Sequence, residues 1–140
     1  MKTIIHAFRI HASAAKVFDA LTTENGLSGW WSTAVQIDTA TGTVHFRFTG
    51  DFNPQMKMLE RHPGKHVVWK CVGGHANWDE NTFSFNLSAS GEETDVLFKQ
   101  EYSRELSDTV YGTYNFNWGY YLNSLKQLCE TGHGTPFKAA

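Results

Sequence analysis

Two adjacent tryptophans, Trp30 and Trp31, divide this chain into parts of different periodicity. Before them, Val17-Phe18-Asp19-Ala20-Leu21-Thr22 reads as a short helix. After them comes a run of short segments in which apolar residues alternate. One long segment follows, with aromatic and aliphatic residues recurring every three or four positions. Alternation is the signature of strands and the longer recurrence that of a helix. Consecutive strands joined by tight turns make an antiparallel sheet, and a terminal helix must then cover its apolar face. A curved sheet closed in this way can enclose a cavity.

Individual elements follow from local signals. Ile4, His6, Phe8 and Ile10 alternate with Ile5, Ala7, Arg9 and His11, which predicts a first strand with the former set facing inward. Ser13 can cap the helix carrying Val17, Phe18 and Leu21, and Thr23 can start a second helix of one turn. The inward residues of the later strands are expected to be Val35 and Ile37; Val44, Phe46 and Phe48; Met56 and Met58; Val67, Trp69 and Cys71; Phe83, Phe85 and Leu87; and Val96, Phe98, Gln100 and Tyr102. His62-Pro63-Gly64-Lys65 has the residues of a type II turn. Tyr111, Tyr114, Trp118, Tyr121, Leu122, Leu125, Leu128 and Cys129 mark the last helix, with Asp108 or Thr109 as cap and Gly132 as stop. Its first half contains Gly112, Thr113, Asn115, Asn117 and Gly119, poor helix formers that require tertiary support.

The 140 residues are expected to form a single domain over 1–140. A chain of this size buries roughly 68–70% of its unfolded surface, enough for a core without staples. Scattered Lys and Arg and a net charge of −2 argue against nucleic-acid binding. Cys71 and Cys129 match no metal or disulfide spacing. With no signal peptide at Met1-Lys2-Thr3 and no apolar run of membrane-spanning length, a cytoplasmic protein with free thiols and no membrane insertion is expected.

These parts carry a family resemblance. Ile10-His11-Ala12-Ser13-Ala14-Ala15-Lys16-Val17-Phe18-Asp19-Ala20-Leu21-Thr22 resembles the opening motif of the START-like superfamily, also called SRPBCC. Trp30-Trp31, Gly91-Glu92-Glu93-Thr94 before the last strand, and Trp118, Leu125-Lys126 and Glu130-Thr131-Gly132 are similar to its branch related to the activator of the heat-shock chaperone ATPase. The resemblance covers nearly the whole chain. It implies an α+β helix-grip fold: a curved antiparallel sheet of about six or seven strands around a long C-terminal helix, with two short helices after the first strand. Branch members often carry a histidine where Gln100 stands, and the fold would set the first strand beside the last, with His6 near Gln100.

The expected site is a cavity between sheet and helix. Trp31, Phe46, Phe48, Met58, Trp69, Phe83, Phe85, Phe98 and Trp118 would supply contact area, with Phe8 beside them on the first strand. His6, Gln100, Tyr102 and Tyr114 would orient a ligand's polar end; Tyr111 and Asn115 are further polar-tipped residues expected inward. His6 admits two readings, a titratable pocket group or a core histidine satisfied by Gln100, Tyr102 or a backbone carbonyl. Met56 and Met58 would suit a varied ligand or a dry core equally.

Other chemistry finds little support. His62 and His66 have the spacing of helical metal ligands, but Pro63-Gly64 places them at the ends of a hairpin turn, so no metal is expected. His75 and Asp79 read as part of a flexible glycine-loop lip. Gly132-His133-Gly134 follows a helix, the wrong polarity for phosphate. There is no nucleophile elbow and no inward carboxylate pair. No cofactor is expected.

Three functional readings remain. The first is a container for a small hydrophobic, aromatic or lipid-like molecule, as a monomer or homodimer. The second, implied by the resemblance, is a partner of the heat-shock chaperone; the single domain expected here would lack the companion domain of the eukaryotic activators, which weakens it. The third is a cyclase or aromatase with His6 as proton shuttle.

Overall fold

The structure is a computed structural model describing residues 2–139. Strand β1 (Thr3–Ile10) leads to helices α1 (Ala14–Thr22) and α2 (Glu24–Trp30). Strands β2 (Ala34–Asp38), β3 (Thr43–Arg47), β4 (Gln55–His62) and β5 (His66–Gly73) follow, then a single 3-10 turn (Ala76–Trp78). Strands β6 (Thr82–Ser90) and β7 (Glu93–Glu101) complete the sheet, and α3 (Asp108–Thr131) crosses it. The sheet has seven strands in the order β1-β7-β6-β5-β4-β3-β2, all antiparallel. This is the helix-grip arrangement.

Local chemistry sets the boundaries. Ser13 caps α1 through Lys16 N–H, and Thr23 caps α2 through Gly26 N–H. The second helix runs seven residues rather than one turn, because Leu27 and Trp30 are fully buried and anchor it. Helix α3 is capped one residue earlier than expected: extended Ser107 accepts from Val110 N–H, and Asp108 lies in the first turn, where its charge suits the positive helix end. Gly132 adopts φ 89° and ends the helix.

The alternation predicts the faces well. Val67, Trp69 and Cys71, like Phe83, Phe85 and Phe98, are completely buried. Two register details matter for the site. Ile4 faces Gln100 and His6 faces Phe98, two pairs along, so His6 is the diagonal neighbour of Gln100 on the inner face, as expected. The β4–β5 ladder has an irregularity between Met58 and Glu60, beyond which Glu60 pairs with Val68 and His62 with His66. A one-residue bulge exchanges the two faces of a strand. Glu60 and His62 are therefore on the outer side with His66. The turn between them has Lys65 N–H donating to His62 C=O at 2.9 Å and Gly64 at φ 70°, which is type II geometry. The hairpin thus brings His62 and His66 together, against the expectation that the turn would keep them apart: antiparallel partners across a strand pair are as close as helical neighbours.

Helix α3 is fastened to β1 at its C-terminal end. Lys126 donates to Arg9 C=O at 2.8 Å and to Glu130 at 2.6 Å, and Glu130 also accepts from His11 N–H at 2.8 Å. The chain after α3 folds back along α2: Thr135 N–H donates to Ser124 Oγ, which itself donates to Trp30 C=O. Phe137 then pairs with the Trp31–Thr33 backbone.

Candidate functional site

All five tryptophans belong to one ring-to-ring cluster with Trp31 at its centre. Trp31 lies 5.2 Å from Trp118 and 6.2 Å from Trp78, and Trp78 stacks on Trp118 at 5.8 Å. Below this layer the sheet side is packed solid. Trp69 meets Phe85 at 4.9 Å, Phe85 meets Phe98 at 5.0 Å, and Phe98 meets Trp118 at 4.5 Å. These are ordinary aromatic packing distances that leave no room for a ligand. Phe46, Trp69, Phe83, Phe85 and Phe98 therefore form core, as does Met56.

Above the tryptophan layer the packing opens. A cleft of about 270 Å³ lies between α3, the β3–β4 connection, the 3-10 turn and the returning C-terminal segment. Trp31, Trp78 and Trp118 make its floor. Half-buried Phe48, Phe52, Tyr114, Tyr121 and Phe137 make its walls, with Thr49, His75 and Asn117 as polar members. Eight of the eleven lining residues are thus Phe, Tyr or Trp.

Of the residues expected at the site, Trp31, Phe48, Tyr114 and Trp118 line the cleft. Phe8 and Met58 are half-buried elsewhere on the sheet. Gln100 and Tyr102 are buried beneath the tryptophan floor. Trp118 Nε1 donates to Gln100 Oε1 at 2.7 Å. The Gln100 Nε2, Tyr102 hydroxyl and Trp78 Nε1 have no hydrogen-bond partner among the described residues. Burial pushes the Tyr102 hydroxyl pKa up, and neither Trp78 nor Gln100, though close enough to favour the ionised form, makes a well-formed bond to it. His6 lies under Gly119, whose added Cβ would stand 3.7 Å from His6 Cε1, and its Nε2 is likewise buried without a partner. It is away from the cleft. Tyr111 spends its hydroxyl on Arg104 C=O and Leu106 N–H, and Asn115 is exposed, one helical step off the buried stripe.

Sequence reasoning did not select Phe52, His75, Trp78, Tyr121 or Phe137. The one signal was the loop Gly73-Gly74-His75-Ala76-Asn77-Trp78, where a histidine and a tryptophan stand among flexible residues. The loop is in fact fixed. Gly74 has φ 83°, and a Cβ there would fall 1.9 Å from Asn53 C=O, so only glycine permits this approach. The Tyr114 hydroxyl accepts from Asn77 Nδ2 at 3.0 Å and lies 2.6 Å from His75 Nε2. His75 Nδ1 faces the Asp51 carbonyl at 3.3 Å, which can only accept. In the neutral ring Nδ1 therefore carries the proton, Nε2 accepts, and Tyr114 donates to it. Burial raises the Tyr114 pKa, and the Asn77 bond partly offsets this. The hydroxyl stays neutral and acts as a positioned hydrogen-bonding group at the cleft wall.

The family profile described as "Activator of Hsp90 ATPase homolog 1-like protein" matches residues 11–130. The chain belongs to this family. The family fold is START-like, as the seven-stranded sheet and long α3 show. A similar solved structure is the Aha1 dimer from Colwellia psychrerythraea, with 32% identity over 96% of this chain and 100% of that one, at TM-score 0.81. A Mesorhizobium loti protein shares 19% identity over 91% of this chain and 96% of its own, at TM-score 0.77. DynU16, from the dynemicin biosynthetic locus, shares 14% over 96% of this chain and 49% of its own, also at 0.77. The last two speak for the fold alone. None of the curated proteins matches the chain significantly. No helix among the described residues is long and apolar enough to cross a membrane.

Proposed function

We propose that this protein binds a small, apolar, ring-bearing or lipid-like molecule in the aromatic cleft, with no chemistry performed on it. The observation that supports this most is a gap left above the tryptophan floor in an otherwise close-packed, ring-filled interior. A volume of about 270 Å³ falls just below the usual range of ligand sites, which starts at roughly 300 Å³, and so suits a small molecule. Tyr114, held by His75 and Asn77, keeps one acceptor lone pair that would meet a donor group on the ligand. An acid/base role for His6 draws no support, since the residue does not line the cleft.

Titration with apolar aromatic fluorophores tests the reading. Binding should be stoichiometric, quench the fluorescence of Trp31, Trp78 and Trp118, and weaken in Phe52→Ala and Phe137→Ala. Failure of every member of an apolar aromatic panel to bind would end the proposal.

A second reading, contact with a protein partner, is favoured by Phe116 and Tyr120, which stand 78% and 52% exposed on the outer side of α3. Because the Colwellia relative is described as a dimer, a second copy is the partner this face would take. Light scattering should show a dimer that Phe116→Asp dissociates; a monomer at high concentration removes the idea. Activation of the heat-shock chaperone is tested separately by its ATPase rate, and unchanged turnover at excess protein would exclude it.

A further inference from the structure

We propose that the tip of the β4–β5 hairpin is a binding site for a divalent transition-metal ion of the Zn²⁺ class, held by Glu60, His62 and His66. One donor atom from each residue lies within 4.8 Å of the other two. Glu60 Oε1 stands 3.6 Å from His62 Nε2 and 3.2 Å from His66 Nε2. Zinc takes histidine nitrogen at about 2.0–2.1 Å and carboxylate oxygen at about 2.0–2.2 Å in a tetrahedron, which sets donor separations of roughly 3.3–3.6 Å. Two of the three edges already have about that length. The remaining His62–His66 edge is no longer than 4.8 Å and would close by side-chain rotation, with His62 58% and His66 32% exposed.

The backbone builds this arrangement in two steps. The irregularity between Met58 and Glu60 turns Glu60 and His62 away from the face that carries Met56 and Met58. The Pro63-Gly64 turn then places His66 directly across from His62. The tip is held in place, since Leu87 N–H on β6 donates to Lys65 C=O at 2.7 Å, and Gly64 packs near Ala14 at the start of α1. The ligands therefore stand on a fixed support, and little ordering is needed on binding. Two imidazoles and one carboxylate suit Zn²⁺, Cu²⁺ or Ni²⁺ and do not suit Ca²⁺ or Mg²⁺, which take oxygen donors. Three protein ligands leave a fourth position open to solvent.

The site is separate from the aromatic cleft. β5 runs from His66 to Gly73 before reaching the cleft loop, so the two lie roughly 23 Å apart along the strand at about 3.3 Å per residue. An exposed Glu–His contact is the plain alternative, but that needs only one imidazole, and here two converge on a single carboxylate oxygen.

The test is calorimetric titration of the full chain, freed of any affinity tag, with ZnCl₂, together with NMR of the histidine ring resonances. One equivalent should bind, and the rings of His62 and His66 should shift while those of His45 and His133 do not. Glu60→Gln and His62→Ala should each weaken binding by about 10-fold or more, at least the loss seen when an outer-shell partner is removed. The double variant H62A/H66A should abolish binding, and His133→Ala should leave it unchanged. No saturable binding, shifts confined to other histidines, or affinity that survives the double variant would each overturn the proposal. The ring shifts on unmodified protein decide the matter even if a variant folds poorly.

Discussion

Replacing Trp118 by phenylalanine isolates the buried hydrogen bond that sits under the cleft floor. Trp118 Nε1 donates to Gln100 Oε1 at 2.7 Å, and both residues are buried. Removing the donor strands the Gln100 carbonyl in a dry interior where its Nε2 already lacks a partner. Leaving a buried acceptor unpaired costs about 1–3 kcal/mol. Contracting the ring removes roughly 40 Å³, which at about 24 cal/mol per Å³ of cavity adds about 1 kcal/mol. Trp118→Phe should therefore lose about 2–4 kcal/mol. Gln100→Leu strands the indole N–H but also removes the unsatisfied amide, so its net cost should be small, about 0–1 kcal/mol. In the double variant no member of the pair is left unpaired, and the loss should fall to about the ring-contraction cost, less than for Trp118→Phe alone. The four proteins form a double-mutant cycle with an expected coupling of about 1–4 kcal/mol in magnitude. Equilibrium urea unfolding followed by far-ultraviolet circular dichroism measures it without relying on the fluorophore being mutated. Losses that add to within about 0.3–0.5 kcal/mol would refute the reasoning, because they would mean the two side chains do not share a bond.

Three further outcomes follow from particular contacts. Tyr114→Phe removes the hydroxyl that joins His75 and Asn77, so amide exchange should quicken across residues 74–79, with a global loss of about 1 kcal/mol. Burial alone would raise the Glu130 pKa, but His11 N–H and Lys126 outweigh it and hold the carboxyl below its ordinary 4.5. A depressed folded-state pKa stabilises above the unfolded value, and that contribution is lost as pH falls through the folded one. The stability gap between the parent protein and Glu130→Gln should thus be constant near neutrality and close below about pH 4.5 in pH-dependent thermal melts. Burial pushes the Cys129 thiol up to about 11 and raises that of Cys71. A thiol reagent at mildly alkaline pH should label neither in the native protein and both in urea; native labelling would show the core to be open.

The sequence by itself determined the order of elements and which side of most strands faces inward. Those features are written in short-range periodicity: Val67, Trp69 and Cys71 need only alternate to be buried together, and Ser13, Thr23 and Gly132 act on their own helix ends. The structure alone decided where the packing stops. Phe46 and Phe48 continue one sequence alternation, yet Phe48, one residue past the end of β3, lines the cleft while Phe46 is sealed in the core. A void is the volume left after distant segments have packed, so its walls at Phe52, His75, Trp78 and Phe137 share no local pattern. Register followed the same logic. A single extra residue before Glu60 turned that carboxylate and His62 onto the surface that carries His66, and a bulge is set by strand pairing, which periodicity within one strand does not encode.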